Sequence, residues 1–133
     1  VFDEDGYTKE ELKMIDETRK ILNLPDLKVT ATAVRVPVEN GHSIAMNIEC
    51  ERPVDLDLLN KTLKASPGIV VVDLPDYPIA EDASGTDDVY VGRIRLDRSI
   101  ENGLNLWCVA DNIRKGAATN TVQILESMIK KRV

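Results

Sequence analysis

The chain has 133 residues, 43% hydrophobic and 30% charged, enough for one domain with a sizeable core. Its formal charge of -6 and aromatic content of 4% oppose a nucleic-acid-tracking surface, which needs a basic face and rings to stack on bases. No apolar run approaches the ~20 residues that cross a bilayer, and the acidic N-terminus lacks the basic and apolar regions of a signal peptide, so a cytoplasmic protein without nucleic-acid or membrane partners is expected.

The sequence opens at Val1 rather than at methionine, which suggests a piece of something longer. Thr8 followed by Glu11 is a capping box, and Lys9 to Leu22 reads as a helix with Leu12, Ile15 and Leu22 on one side and Met14 and Ile21 flanking. It stops at Asn23-Leu24-Pro25. Leu27 to Val36 alternates and predicts a strand, with Leu27, Val29, Ala31, Ala33 and Arg35 on its more apolar face. After a turn containing Gly41, a second strand from about Ser43 to Cys50 would complete a hairpin with it.

A second helix is predicted from Asp55, with Leu56, Leu59 and Leu63 buried, ending at Ser66-Pro67-Gly68. Ile69 to Val72 is an aliphatic run suited to a strand covered on both faces. The stretch from Pro75 to Asp88 is a long loop, to be read either as a functional or interface segment or as a mobile surface excursion. Val89 to Leu96 and Leu104 to Ala110 read as an antiparallel pair. The closing helix, about 117–131, carries Ala118, Val122, Leu125 and Ile129 on one stripe, with Lys130-Lys131-Arg132 at the end its dipole favours. The sum is an α+β fold: a mixed, largely antiparallel sheet with helices packed on it.

Two residues stand out chemically. Arg35, on the predicted strand, offers a planar fork of donors that grips a carboxylate or phosphate, and His42, the chain's single histidine, titrates near neutral pH and can move a proton in either direction. At one end of a hairpin, each heading an apolar row, they would mark a pocket mouth; the plainer reading is a turn-flanking histidine and a solvated arginine. Cys50 and Cys108 sit among aliphatic neighbours and read as reduced core thiols, and one histidine with two scattered cysteines cannot supply a zinc centre. There is no G-x-G-x-x-G turn for a dinucleotide and no phosphate-gripping glycine loop. The chain thus holds ligand-binding and acid-base groups without an attacking nucleophile, which makes it half of a site.

The runs Asp5-Gly6-Tyr7-Thr8-Lys9-Glu10-Glu11-Leu12-Lys13-Met14, Glu17-Thr18-Arg19-Lys20-Ile21-Leu22, Val34-Arg35-Val36-Pro37-Val38 and Gly41-His42-Ser43 resemble the catalytic, dimer-forming domain of bacterial aspartate-semialdehyde dehydrogenases. So do Val91-Gly92-Arg93-Ile94-Arg95, Gly103-Leu104-Asn105-Leu106-Trp107 and the run from Asp111 to Asn120. The resemblance implies a fold like the C-terminal domain of glyceraldehyde-3-phosphate-dehydrogenase-like enzymes. It also implies NADP-dependent reductive dephosphorylation of aspartyl-4-phosphate to aspartate semialdehyde, for lysine, methionine, threonine and diaminopimelate biosynthesis, by a homodimer. His42 matches the family's acid-base histidine, Arg35 the arginine that clamps the substrate carboxylate, Glu11 a glutamate facing the substrate amine, and Lys13 a phosphate-contacting lysine. Asn112 matches a position near the nicotinamide. Position 33 is alanine where many relatives have cysteine beside the arginine.

In such an enzyme a cysteine attacks the acyl phosphate, and it is expected upstream of Val1 together with the domain that holds most of the NADP. Residues 1–133 would then be a partial catalytic and dimerisation domain, inactive alone, with its last helix made to pack on that cofactor domain and sticky without it. Glu11 has a second reading, as nothing more than the third member of its capping box. Two alternatives stay open: another acyl-phosphate reductase of the same architecture, separable by whether Arg35 matters for an amino acid's carboxylate, and a non-catalytic α+β module for anion binding or dimerisation.

Overall fold

A computed structural model describes residues 2–130. The chain forms two compact units, Val1–Pro37 and Val38–Val133.

The first unit is built on helix α1, Lys9–Leu22. Its start is the predicted capping box: the Thr8 hydroxyl accepts from the Glu11 amide at 3.2 Å, and Glu11 Oε2 accepts from the Thr8 amide at 2.7 Å. Its end is Asn23 in the left-handed region, φ 55°, which lets the amides of Asn23 and Leu24 close on the Lys20 and Arg19 carbonyls. The following stretch does not form the predicted strand. Among the described residues Leu27 to Val36 enters no ladder, because this unit contains no second strand to accept its amides, and alternation alone makes only an extended chain.

What orders that stretch is a row of side-chain bonds. Arg19 Nε donates to the Leu27 carbonyl (2.9 Å), the Tyr7 hydroxyl meets Thr30 Oγ1 (3.2 Å), and the Ala33 amide donates to Glu11 Oε1 (2.7 Å). An extended chain gives a helix little cover, so Leu12 and Leu22, predicted to be core, are exposed.

The second unit is a four-stranded sheet of β1 (His42–Glu49), β2 (Ile69–Val72), β3 (Val89–Leu96) and β4 (Gly103–Ala110) in the order β1-β4-β3-β2. β1 pairs antiparallel with β4, β4 antiparallel with β3, and β3 parallel with β2. The predicted α+β class holds, but the predicted hairpin does not. The strand partner of β1 is β4, with His42 opposite Ala110, and the Gly41 amide that would help close a hairpin turn donates instead to Asn112. β2 lies at the other edge, so it is covered less than a two-faced core strand and Val70 is exposed.

Helix α2, Leu56–Ala65, starts at Asp55, whose side chain accepts from the Leu58 amide, and its half-buried residues include Leu56, Leu59 and Leu63, as the spacing predicts. The 75–88 stretch is not a loose excursion. It contains a short helix α3 (Ala80–Ala83), Ala83 and Pro78 are buried, and Trp107 Nε1 donates to the Pro78 carbonyl at 2.8 Å. Gly92 is what lets Pro78 lie so close to β3: an added Cβ would stand 2.6 Å from Pro78 Cδ.

The closing helix begins earlier than its apolar stripe suggests, with a π-helical turn at Arg114–Ala118 leading into α4, Thr119–Lys130. Val122, Leu125 and Ile129 are each more than half exposed, an apolar stripe without cover among the described residues. Of the terminal basic cluster, Lys131 and Arg132 lie outside the described residues. Among the described residues no helix is long and apolar enough to cross a membrane.

Candidate active site

In the first unit Arg35 is exposed and its guanidinium has no ion pair among the described residues. Its position follows from Ala33, whose amide is fixed on Glu11; two residues of extended chain span at most ~7 Å, so Arg35 starts from near the first turn of α1. Lys13 stands on that part of the helix, exposed, with its ammonium 3.7 Å from the Glu10 carboxylate. The resemblance implies substrate contact for Glu11, with capping alone as its second reading; this side chain is buried and accepts from the Thr8 amide, the Ala33 amide and the Thr8 hydroxyl. Those bonds hold its carboxyl below the usual range, the Thr8 amide contributing most. The exposed carboxylate beside Lys13 belongs to Glu10, which the sequence reading passed over.

In the second unit His42 is the first residue of an edge strand, exposed, with an imidazole that makes no hydrogen bond among the described residues. Asn112 is brought next to it by the β1–β4 register: His42 pairs with Ala110, two residues before Asn112, and Asn112 Oδ1 accepts from the Gly41 amide at 2.8 Å. With Oδ1 so engaged, Nδ2 is left as the outward donor of that amide.

Asp111 is the residue that sequence reasoning missed. It is 2% exposed. Its Oδ1 accepts from the Ile113 and Arg114 amides (2.8 and 3.0 Å), and its Oδ2 from the Gly85 amide (2.9 Å) and Asn40 Nδ2 (3.2 Å). The Gly85 amide first, and then the Arg114 and Ile113 amides, hold its carboxyl below the ordinary carboxylate range. A signal was present: an aspartate just before a helix is a common N-cap, here two and three residues ahead of the amides it receives. The 75–88 loop is fastened at the same place, since Ser84 Oγ donates to Asn40 Oδ1 at 2.9 Å and Asp87 pairs with Arg114 at 2.7 Å.

Two open depressions lie elsewhere in the second unit, one of about 360 Å³ along α4 at Asn120, Ile124 and Met128, the other of about 320 Å³ on the sheet at Tyr77, Arg93, Arg95 and Trp107. Neither is lined by His42. Cys50 and Cys108 are free and half-buried, and burial pushes the Cys108 thiol up, away from the thiolate a nucleophile needs. Among the described residues no cluster of three metal-ligating side chains occurs.

The second unit, a four-stranded mixed sheet with helices beside it, is of the α+β class, and it is the class of a dimerisation domain that the comparisons identify. Residues 1–115 match the model of the family described as semialdehyde dehydrogenase, dimerisation domain. The chain belongs to that family. It is 53% identical over 134 residues to the aspartate-semialdehyde dehydrogenase of Aquifex aeolicus, covering 98% of this chain and 39% of the relative, and 54% identical over 129 residues to that of Legionella pneumophila, covering 94% and 37%.

The crystal structure of aspartate semialdehyde dehydrogenase II from Vibrio cholerae complexed with ASA superposes with a TM-score of 0.92 at 48% identity, covering 98% of this chain and 39% of that one. A probable aspartate-semialdehyde dehydrogenase from Pseudomonas aeruginosa gives 0.90 at 36% identity, covering 100% and 40%. The chain therefore spans about 39% of the length of the relatives it matches.

Proposed function

We propose that the protein is an aspartate-semialdehyde dehydrogenase that interconverts aspartyl-4-phosphate and aspartate semialdehyde with NADP, and that this chain is its partial catalytic and dimerisation domain. The observation that carries this reading is identity of about half the residues, over nearly the whole chain, to proteins of that name. The reaction feeds lysine, methionine, threonine and diaminopimelate synthesis, and the working form is a cytoplasmic homodimer.

The residues take roles that their chemistry allows. Arg35 receives the substrate's α-carboxylate in a bidentate pair, and Lys13 contributes a point charge for phosphate. His42 takes or gives the proton on the oxygen of the reacting carbonyl group as its tetrahedral adduct collapses or forms, a task for an imidazole that can cycle near neutral pH. Glu11 serves by holding the Arg35 stretch against α1; a carboxylate already accepting three hydrogen bonds is a poor free partner for a substrate amine. The carboxylate available for that amine is Glu10, beside Lys13.

The cofactor, NADP, supplies or accepts the hydride when bound. Of this chain's residues, Asn112 fits it: with Oδ1 fixed by Gly41, its Nδ2 can donate to a carboxamide oxygen. The exposed stripe through Val122 and Leu125 suits packing of α4 against a cofactor domain.

The direct test is NADP reduction by the full-length protein with aspartate semialdehyde and inorganic phosphate. Phosphate-dependent NADPH formation is expected; activity with an acyl phosphate lacking the α-amino acid moiety, and none with the semialdehyde, would favour the sister reductase.

A further inference from the structure

We propose that Asp111 is a positioning residue for His42: its carboxylate locks together the turn that launches the histidine strand, the 84–87 loop and the start of the closing helix. The inference rests on His42 being the acid-base group, as read above.

His42 makes no side-chain bond of its own among the described residues, so its imidazole is placed by its backbone and by the two residues before it. Both of those are held by adjacent side chains at the end of β4. Asn112 Oδ1 accepts from the Gly41 amide at 2.8 Å, and Asp111 Oδ2 accepts from Asn40 Nδ2 at 3.2 Å. Gly41 has φ 95°, a left-handed conformation, and an added Cβ there would meet the Ala110 carbonyl at 3.3 Å, so the turn sits tightly against β4.

The carboxylate divides its work. Oδ1 caps the helix through the Ile113 and Arg114 amides, while Oδ2 receives Asn40 and Gly85. Asn40 is gripped from its other end by Ser84 Oγ at 2.9 Å. A carboxylate accepts at both oxygens, an amide at only one, and this asymmetry separates the two jobs. In D111N the new amide oxygen can keep the cap, at which asparagine is as good as aspartate, but its NH2 then opposes the Gly85 amide, a fixed donor, and is matched at Asn40 only if that side chain turns over and reverses its bond with Ser84. The turn is loosened while the helix start is kept.

The experiment is steady-state kinetics of the full-length protein, wild type against D111N and D111N/N40D, with amide hydrogen exchange at Gly41 as a second readout. D111N is expected to lower kcat on the order of 10-fold or more, as a displacement of about 1 Å does at a reacting centre, with KM for the semialdehyde changed less than about 3-fold. The Gly41 amide should exchange on the order of 10-fold faster. N40D returns an acceptor to face the new NH2, so the double variant should recover most of the lost kcat. A D111N enzyme with wild-type kcat and Gly41 exchange would reduce Asp111 to a helix cap and overturn the proposal, as would a loss that N40D does not repair. A wild-type protein inactive on the semialdehyde would instead overturn the functional reading on which the proposal stands.

Discussion

The Glu11 carboxylate reaches the backbone amide of Ala33, 2.7 Å away, and so ties the cap of α1 to the stretch that carries Arg35 two residues later. The helix cap and the anchor of the Arg35 stretch share one side chain. Removing it should therefore be felt at Arg35. In the full-length enzyme E11A is expected to raise KM for the semialdehyde on the order of 10-fold while kcat falls less, since the anchor of the guanidinium is loosened and not the acid-base group. T8A removes the cap but leaves the Glu11 to Ala33 bond; it should cost about 1 kcal/mol of stability by denaturant titration and leave KM within about 2-fold.

The same bond makes a pH prediction. Glu11's folded-state pKa is depressed, chiefly by the Thr8 amide and then the Ala33 amide. Its contribution to stability is therefore fully present above the ordinary glutamate value, 4.5, and is lost as pH falls through the depressed folded value. Tm measured down from pH 7 should begin to drop below about that value in the wild type, and E11Q should flatten that part of the curve.

Asp87 is held down to about 2 from 3.8, first by its hydrogen bonds from Arg114 and then by Thr119. Carbon-detected NMR titration of its carboxyl should give a midpoint near 2. R114L should move that midpoint back up toward 3.8; an unmoved midpoint would mean that the pair observed at 2.7 Å does not persist in solution.

Gly92 lies under Pro78, and the chain's one tryptophan donates to the Pro78 carbonyl at 2.8 Å. G92A forces a Cβ to 2.6 Å from Pro78 Cδ and should cost about 1–3 kcal/mol, as overpacking does. Because Trp107 is the only such fluorophore, its emission should shift to the red as the 78–83 stretch lifts.

Much of this was legible in the sequence because the signals were local. Thr8 and Glu11 marked the start of α1, Leu56, Leu59 and Leu63 marked the half-buried side of α2, an aliphatic run marked β2, and β3 and β4 read as an antiparallel pair. What failed was the partner of β1, while β3 and β4 pair antiparallel as expected. Leu27 to Val36 alternates like a strand, but the strand beside β1 comes from far along the sequence, Gly103 to Ala110, and alternation carries no information about partners. Glu11 was readable in both its roles and only the position of Ala33 weighs between them. Asp111 was missed for a similar reason: its cap is local, whereas Asn40 and Gly85 reach it from distant segments.

Arg35 is proposed to hold the substrate carboxylate and His42 to move the proton, and the most direct measurement is the separation of kcat from KM in R35L and H42A of the full-length protein. R35L should raise KM for aspartate semialdehyde about 10- to 100-fold with a smaller change in kcat, the loss of one charge-assisted bidentate contact, and H42A should lower kcat about 100-fold or more with KM little changed. Wild-type kcat in H42A, or an unaltered KM in R35L, would contradict these roles.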